Sequence, residues 1–290
     1  MTGPLISVSE LSDLIASGEP PTIIDASLEL HPPKFDGDYR MNSGLDRYLA
    51  AHIPGAIHVD VATQFSDQSS TLHYAHPEPQ AIADELARLG VSAGQEVVIY
   101  DSTSTIWAAR LWYLLRWIGA PARVLDGGLS AWKAAGEAIE TREGERPEPA
   151  ASWHAEPMRR AWVSKEELAE RRADDKRPLV CSLPAGSFTG ADASRYARRG
   201  RIPRSVNVSA RDLFGTNGTL KSRVEVILAY DAAGVSVQSG SEEVLLYCGG
   251  GISASAGALS LAAIGHSAVR IYDGSLEEWS ADPELPLDVD

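Results

Sequence analysis

Short apolar runs of strand length alternate along this chain with longer stretches of helical period. "TIID" (22–25), "VVIY" (97–100) and "ARVLD" (122–126) carry few charges, as expected of strands buried on both faces of a parallel sheet. "PQAIADELARLG" sets Ile82, Leu86 and Leu89 at helical spacing and stops at Gly90. "IWAARLWYLLRWIG" places Leu111, Leu114, Leu115 and Ile118 on one face and ends at Gly119. Strands alternating with helices predict an α/β fold, a mostly parallel sheet flanked by helices. In such sheets ligands gather beyond the carboxyl ends of the strands.

The pattern occurs twice. "EVVIYDSTSTIWAARLWYLLRWIGAPARVLDGGLSAWKAAG" begins at Glu96, and "EVLLYCGGGISASAGALSLAAIGHSAVRIYDGSLEEWSADP" begins at Glu243. Tyr100 answers Tyr247, Asp101 answers Cys248, Asp126 answers Asp273 and Trp132 answers Trp279, each pair 147 positions apart (101 to 248, 132 to 279). Upstream, "AHIPGAIHVD" matches "GRIPRSVNVS", with Pro54 and Pro203 separated by 149 positions, and "PTIIDAS" matches "RPLVCSL". Such order and spacing identify a duplicated domain. Between the copies, "TREGERPEPAASWHAEPMRRAW" (141–162) has neither period and reads as an exposed linker. The division expected is residues 1–145, a linker at 146–160, and residues 161–290.

Composition narrows the functional classes. The 290 residues suffice for two domains of roughly 100–200 residues each. With 44% hydrophobic and 23% charged residues, the chain is of globular, core-forming type. A net charge of −14 argues against a nucleic-acid surface, although "SRYARRGRIPR" (194–204) carries five arginines and leaves room for a local positive pocket. "MTGPLISVSELSDL" has no signal-peptide character, and the longest apolar stretches fall far short of a bilayer span, so no membrane partner is expected. Two cysteines, Cys181 and Cys248, form no spaced framework, which points to a reducing cytoplasm.

One stretch concentrates chemistry. In "EVLLYCGGGISASAGALSLAAIG" (243–265), Cys248 ends a strand and three glycines lead into a helix that starts near Ser253. Amides of Gly249, Gly250 and Gly251 can curl into an anion-holding nest, with the positive end of the helix dipole behind them. Such an environment favours the thiolate. Ser253 is placed to cap the helix or to offer its hydroxyl to whatever sits on the sulfur. Three other readings compete. A buried cysteine before a tight turn is the plain one. "GGGISA" also fits a dinucleotide fingerprint with Asp273 24 residues beyond Gly249, but only 17 residues follow Asp273 to complete that half-sheet. A cysteine phosphatase needs an arginine six positions after the nucleophile, where this chain has Ala254. Cys181 has no such loop and reads as a buried structural residue. His31, His73, His76, His154 and His266 lack metal-ligand spacing, so no metal is implied.

With the duplication, "HIPGA", "VLDGGLSAW", "CGGGIS" and "YDGSLEEW" together, the chain resembles the two-domain rhodanese-type sulfurtransferases, the thiosulfate/3-mercaptopyruvate sulfurtransferase family. The resemblance implies two tandem rhodanese-like α/β domains, of which only the second keeps a catalytic cysteine, in line with Asp101 in the first. It implies that Cys248 takes a sulfane sulfur from thiosulfate or 3-mercaptopyruvate as a persulfide. The sulfur then passes to cyanide, a thiol or another thiophilic acceptor. Backbone amides of Gly249, Gly250, Gly251, Ile252 and Ser253 would hold that persulfide, with no organic cofactor and the site in a cleft between the halves.

The resemblance has gaps. The uncharged "CGGGIS" is nearer the mercaptopyruvate type, yet Gly250 stands where those members place a serine proposed for a proton relay. The stretch "CSLPAGSFTG" has Leu183 and Ser187 where family arginines engage the donor anion, a loss for charge-assisted binding. Either one of Arg195, Arg198, Arg199, Arg201 or Arg204 substitutes for them, or the arginine run is a solvated face. His52 matches a family motif linked to a catalytic triad, or simply ties down a loop. Trp107 either packs over Cys248 or belongs to the helix core. A non-catalytic sulfur-carrier or protein-binding rhodanese module is the second reading.

Overall fold

The structure, a computed structural model, describes residues 3–18, 20–102, 104–144, 147–238, 240 and 242–290. The first half runs β1 (Leu5–Ile6), α1 (Val8–Ala16), β2 (Thr22–Asp25), β3 (Leu28–Leu30), β4 (Met41–Ser43), α2 (Leu45–Ala50) and β5 (Ile57–His58). It continues with α3 (Val61–Gln64), α4 (Pro79–Arg88), β6 (Val97–Tyr100), α5 (Ile106–Trp117), β7 (Ala122–Leu125) and α6 (Gly128–Ala134). The second half has β8 (Trp162–Val163), α7 (Lys165–Ala169), β9 (Leu179–Cys181), α8 (Ala185–Thr189) and β10 (Ser205–Asn207). A 3-10 turn (Ala210–Leu213) and α9 (Arg223–Ala232) lead to β11 (Val244–Tyr247), α10 (Ile252–Ala263), β12 (Val269–Tyr272) and α11 (Ser275–Ala281).

Each half builds a parallel five-stranded sheet. The orders are β1-β7-β6-β2-β5 and β8-β12-β11-β9-β10, the same topology twice. Among the described residues, the short antiparallel pair β3–β4 belongs to the first half alone. The α/β class and the duplication expected from the pattern are therefore the observed architecture. Central strands β6 and β11 are buried at all four positions, which is why they read as unbroken apolar runs.

One sequence expectation changes. Helix α5 does not bury one face: every residue from Ile106 to Trp117 except Arg116 is buried. It is covered by its own sheet on one side and by α10 across the interface on the other. Within the helices the offset is 146, with Ile106 and Gly119 matching Ile252 and Gly265, while the four pairs named above keep 147. The loop after Cys248 has three residues before its helix, against four after Asp101, and the turn after α10 restores the register.

The segment expected to be an exposed linker is mostly exposed but is pinned to the first half. Ala150 N–H donates to Ala87 O at 2.8 Å, and Met158 N–H to Trp117 O at 2.8 Å, with Ala155 buried. The apolar core is continuous across the halves: Ile99, Trp107 and Leu111 share one cluster with Leu246, Cys248 and Ile252. Among the described residues, no helix is long and apolar enough to cross a membrane.

Candidate active site

Cys248 stands directly after β11, at the carboxyl edge of the second sheet, 2% exposed. The chain turns at once through three glycines into α10, whose N-cap is Gly251 at φ +79°. That left-handed conformation is cheap only without a Cβ. Here a Cβ would also lie 2.5 Å from Asp273 Oδ1 and 2.9 Å from the Arg110 guanidinium. Because Gly251 is the cap, Ser253 sits inside the helix and does not cap it, contrary to one sequence expectation. Its side chain lines the cleft beside Cys248.

Ser275 holds the loop. Its Oγ accepts from Cys248 N–H at 3.0 Å and from Gly251 N–H at 3.3 Å, and donates to Tyr272 O at 2.7 Å. The Gly251 amide is thus engaged already, which narrows the expected five-amide cradle. The amides of Gly249, Gly250, Ile252 and Ser253 make no hydrogen bond to a described residue.

The first half shows what this loop geometry holds. Asp101, the counterpart of Cys248, folds its carboxylate back into its own loop. Oδ1 accepts from Ser104 N–H at 2.9 Å and Thr105 N–H at 3.0 Å. Oδ2 accepts from Trp107 N–H at 3.1 Å and Ala108 N–H at 3.0 Å. Matched through helices α5 and α10, those four donors correspond to Gly250, Gly251, Ser253 and Ala254. A loop of this shape at a helix N-terminus is therefore an anion site within this same chain.

Cys248 opens into a cleft of about 960 Å³ between the halves. Gly249, Gly250, Ile252 and Ser253 line it from the second half; Gly251 does not. Tyr39, Tyr74, Ser102 and Trp107 line it from the first. Trp107 is both core and cleft floor, with its ring edge-on to Tyr74 at 5.1 Å. Over the loop, His73 stacks on Tyr39 at 4.0 Å and places Nδ1 2.5 Å from Glu277 Oε1.

The structure sorts the arginines. Arg198 is spent on carbonyls of Ser280, Asp282 and Leu285, Arg201 on Asp290, and Arg204 on carbonyls of Arg171 and Arg172. Arg199 lines the cleft but is paired with Asp36 at 2.8 Å. Arg195 lines it too, giving one bond to His31 O at 2.8 Å and lying 5.6 Å over the Tyr39 ring. Leu183 and Ser187 line the same wall. Sequence reasoning missed Arg211, on the 3-10 turn, which lines the cleft with no ion pair or hydrogen bond from its side chain to a described residue. It missed Ser275 and Tyr196 as well, because nothing local in "YDGSLEEW" or "SRYARRGRIPR" says that either reaches the cysteine loop.

Two other expectations resolve cleanly. Cys181 is fully buried at the end of β9, and burial pushes its thiol up to about 12, so it stays protonated and inert. His52 lies away from the cleft, with Nδ1 2.8 Å from Tyr48 O and its ring stacked on Tyr48 at 4.0 Å. It ties down a loop. Among the described residues, no group of three or more His, Cys, Asp or Glu is placed to hold a metal ion.

Comparison with known proteins agrees with this geometry. The rhodanese-like domain family matches residues 7–135 and again 188–282. A 3-mercaptopyruvate sulfurtransferase of Escherichia coli is 30% identical over 244 residues, covering 83% of this chain and 84% of its own length. A thiosulfate sulfurtransferase of Gallus gallus is 30% identical over 287 residues, covering 95% and 92%. The crystal structure of SseA from Escherichia coli superposes with a TM-score of 0.78 at 26% identity, covering 94% of this chain and 99% of that one. Two family matches over most of the length, the repeated sheet and the cysteine loop agree: the chain belongs to the rhodanese family as a two-domain sulfurtransferase.

Proposed function

We propose that Cys248 carries the sulfur in transit, from thiosulfate or 3-mercaptopyruvate to cyanide or a thiol, through a persulfide held by the loop that ends in Ser253. The Cys248 thiolate bonds to the outer sulfur of the donor, and the bond joining that sulfur to the donor breaks. The electron pair leaves with sulfite in one case and with the pyruvate enolate in the other. The acceptor then removes the terminal sulfur and returns the thiolate; cyanide departs as thiocyanate. Splitting the transfer in two across a covalent intermediate is ordinary nucleophilic catalysis.

The observation that carries this reading is the Asp101 carboxylate, held by four amides in the matching loop of the first half. A persulfide on Cys248 is an anion at the matching position, in a loop one residue shorter and with one amide lent to Ser275. Preorganised amides cost no reorganisation as charge develops on the sulfur. Arg195 and Arg211, both facing the cleft, are the cations for the anionic donor in place of Leu183 and Ser187. We place the catalytic unit at residues 161–290, with 1–145 as the cysteine-free partner, and its work in the reducing cytoplasm, where Cys181 and Cys248 both remain free thiols as they are here.

The test is intact mass after brief exposure to each donor, for the parent chain and for Cys248→Ser, followed by cyanide. A gain of one sulfur that requires Cys248 and vanishes as thiocyanate forms supports the reading and names a working donor. The second reading, a carrier fed by another protein, is favoured by the apolar Leu183 and uncharged Ser187 on the cleft wall. It takes precedence if neither donor adds mass to the parent.

A further inference from the structure

We propose that the Tyr196 hydroxyl is a catalytic proton donor at the Cys248 site, serving the enolate that leaves when 3-mercaptopyruvate gives up its sulfur. The inference rests on the persulfide reading above and assigns the leaving-group chemistry within it.

Tyr196 comes from the arginine-rich segment between α8 and β10, far from the cysteine in sequence. That segment is clamped to the first half: Gly37 N–H donates to Ser194 O at 2.7 Å and Ser194 N–H to Asp36 Oδ1 at 2.9 Å. Ser194 Oγ in turn accepts from Tyr196 N–H at 3.0 Å. The phenol ring packs on the second half's own apolar cluster, and its hydroxyl end reaches the cysteine loop. A Cβ built on Gly249 would overlap the Tyr196 hydroxyl and lie 2.5 Å from Cζ, so the hydroxyl rests against the residue that follows Cys248. Its oxygen makes no hydrogen bond to any described residue, although the ring lines the interior of the cleft. Burial raises the phenol's pKa well above its ordinary value, Arg195 opposes that, and the Cys248 charge adds to it. The hydroxyl therefore keeps its proton at neutral pH, and the Arg195 charge eases its release to a basic acceptor such as an enolate. Gly250 has no side chain to offer a hydroxyl, and Tyr196 delivers one to the same loop from outside it.

The step balances as follows. Cys248 thiolate bonds to the mercaptopyruvate sulfur; the C–S bond breaks and its electron pair becomes the pyruvate enolate. The Tyr196 proton passes to the enolate oxygen, giving enolpyruvate, which ketonises in water. The new persulfide still bears the donor's S–H proton, which returns to the phenolate and leaves Cys248 as the persulfide anion. Thiosulfate differs, since sulfite leaves as a stable dianion and needs no proton.

Tyr196→Phe removes only the hydroxyl, which no described residue bonds, so folding is not at stake. Persulfide formation measured in single turnovers should slow about 10²-fold with 3-mercaptopyruvate, with binding of the donor unchanged. With thiosulfate the rate should stay within about twofold of the parent. Equal rates for variant and parent with 3-mercaptopyruvate overturn the proposal, as does an equal fall with both donors. A parent that accepts sulfur from thiosulfate alone also overturns it while leaving the persulfide reading intact. A parent that accepts sulfur from neither overturns both.

Discussion

Gly249 and Gly250 are adjacent, look interchangeable in the sequence, and differ in what surrounds them. At Gly249 a side chain collides with Tyr196; at Gly250 a Cβ meets Glu277 Oε2 at 3.4 Å and His73 O at 3.6 Å, ordinary van der Waals contact. Gly249→Ala should therefore cost about 1–3 kcal/mol by overpacking and displace the Tyr196 ring. Gly250→Ser should leave the melting temperature unchanged. Thermal unfolding of the two variants checks the contrast, and equal melting temperatures would show that Tyr196 does not sit where the structure puts it. The cysteine itself was legible from its neighbours, since three glycines between a strand and a helix have few other uses. The tyrosine was not, because its effect depends on a contact across 53 positions of chain (196 to 249).

At the scale of elements, the cysteine loop is a joint between three of them. β11 ends at Tyr247, α10 begins at Ile252, and Ser275 at the head of α11 bonds the amides on either side of the turn. Ser275→Ala leaves two buried N–H groups without an acceptor, each worth about 1–3 kcal/mol. A drop in unfolding free energy of that order in urea, with slower persulfide formation, is the expected outcome. An unchanged urea midpoint would mean that water reaches these amides. The strands and helices themselves could be read from periodicity, and the stops at Gly90 and Gly119 fall just past α4 and α5, both at positive φ. The one-residue difference between the two loops was not readable from matched letters. It is absorbed after α10, so both flanking strands keep the spacing of 147 (100 to 247, 125 to 272).

The whole molecule is closed by reciprocal contacts between the copies. Asp126 accepts from Leu220 N–H of the second half at 2.7 Å, and its counterpart Asp273 accepts from His76 N–H of the first at 2.7 Å. Burial holds the Asp126 carboxyl above its ordinary range. The second contact is reinforced by Arg110 from α5, fully buried, which reaches Asp273 at 2.6 Å and 3.3 Å and Tyr74 O at 2.6 Å. Its guanidinium also lies 5.4 Å over the Trp162 ring. Arg110→Met strands the Asp273 carboxylate against the cysteine loop, and breaking such a pair costs about 3–5 kcal/mol. Chemical denaturation should show that loss together with reduced persulfide formation, because Asp273 packs against Gly251. Stability equal to the parent would indicate that Asp273 is solvated in solution.

The sequence by itself determined the repeat, the α/β class and the reactive position, because these follow from local spacing and from residue types with few alternative roles. Asp101 opposite Cys248 told which copy carries the thiol. Tertiary structure alone decided what that thiol meets. It drew Tyr196 and Arg211 to the cleft, spent Arg198, Arg201 and Arg204 elsewhere, and lent one cradle amide to Ser275. Those outcomes depend on which distant segments of the second half fold against one another, and no periodicity along the chain encodes such contacts.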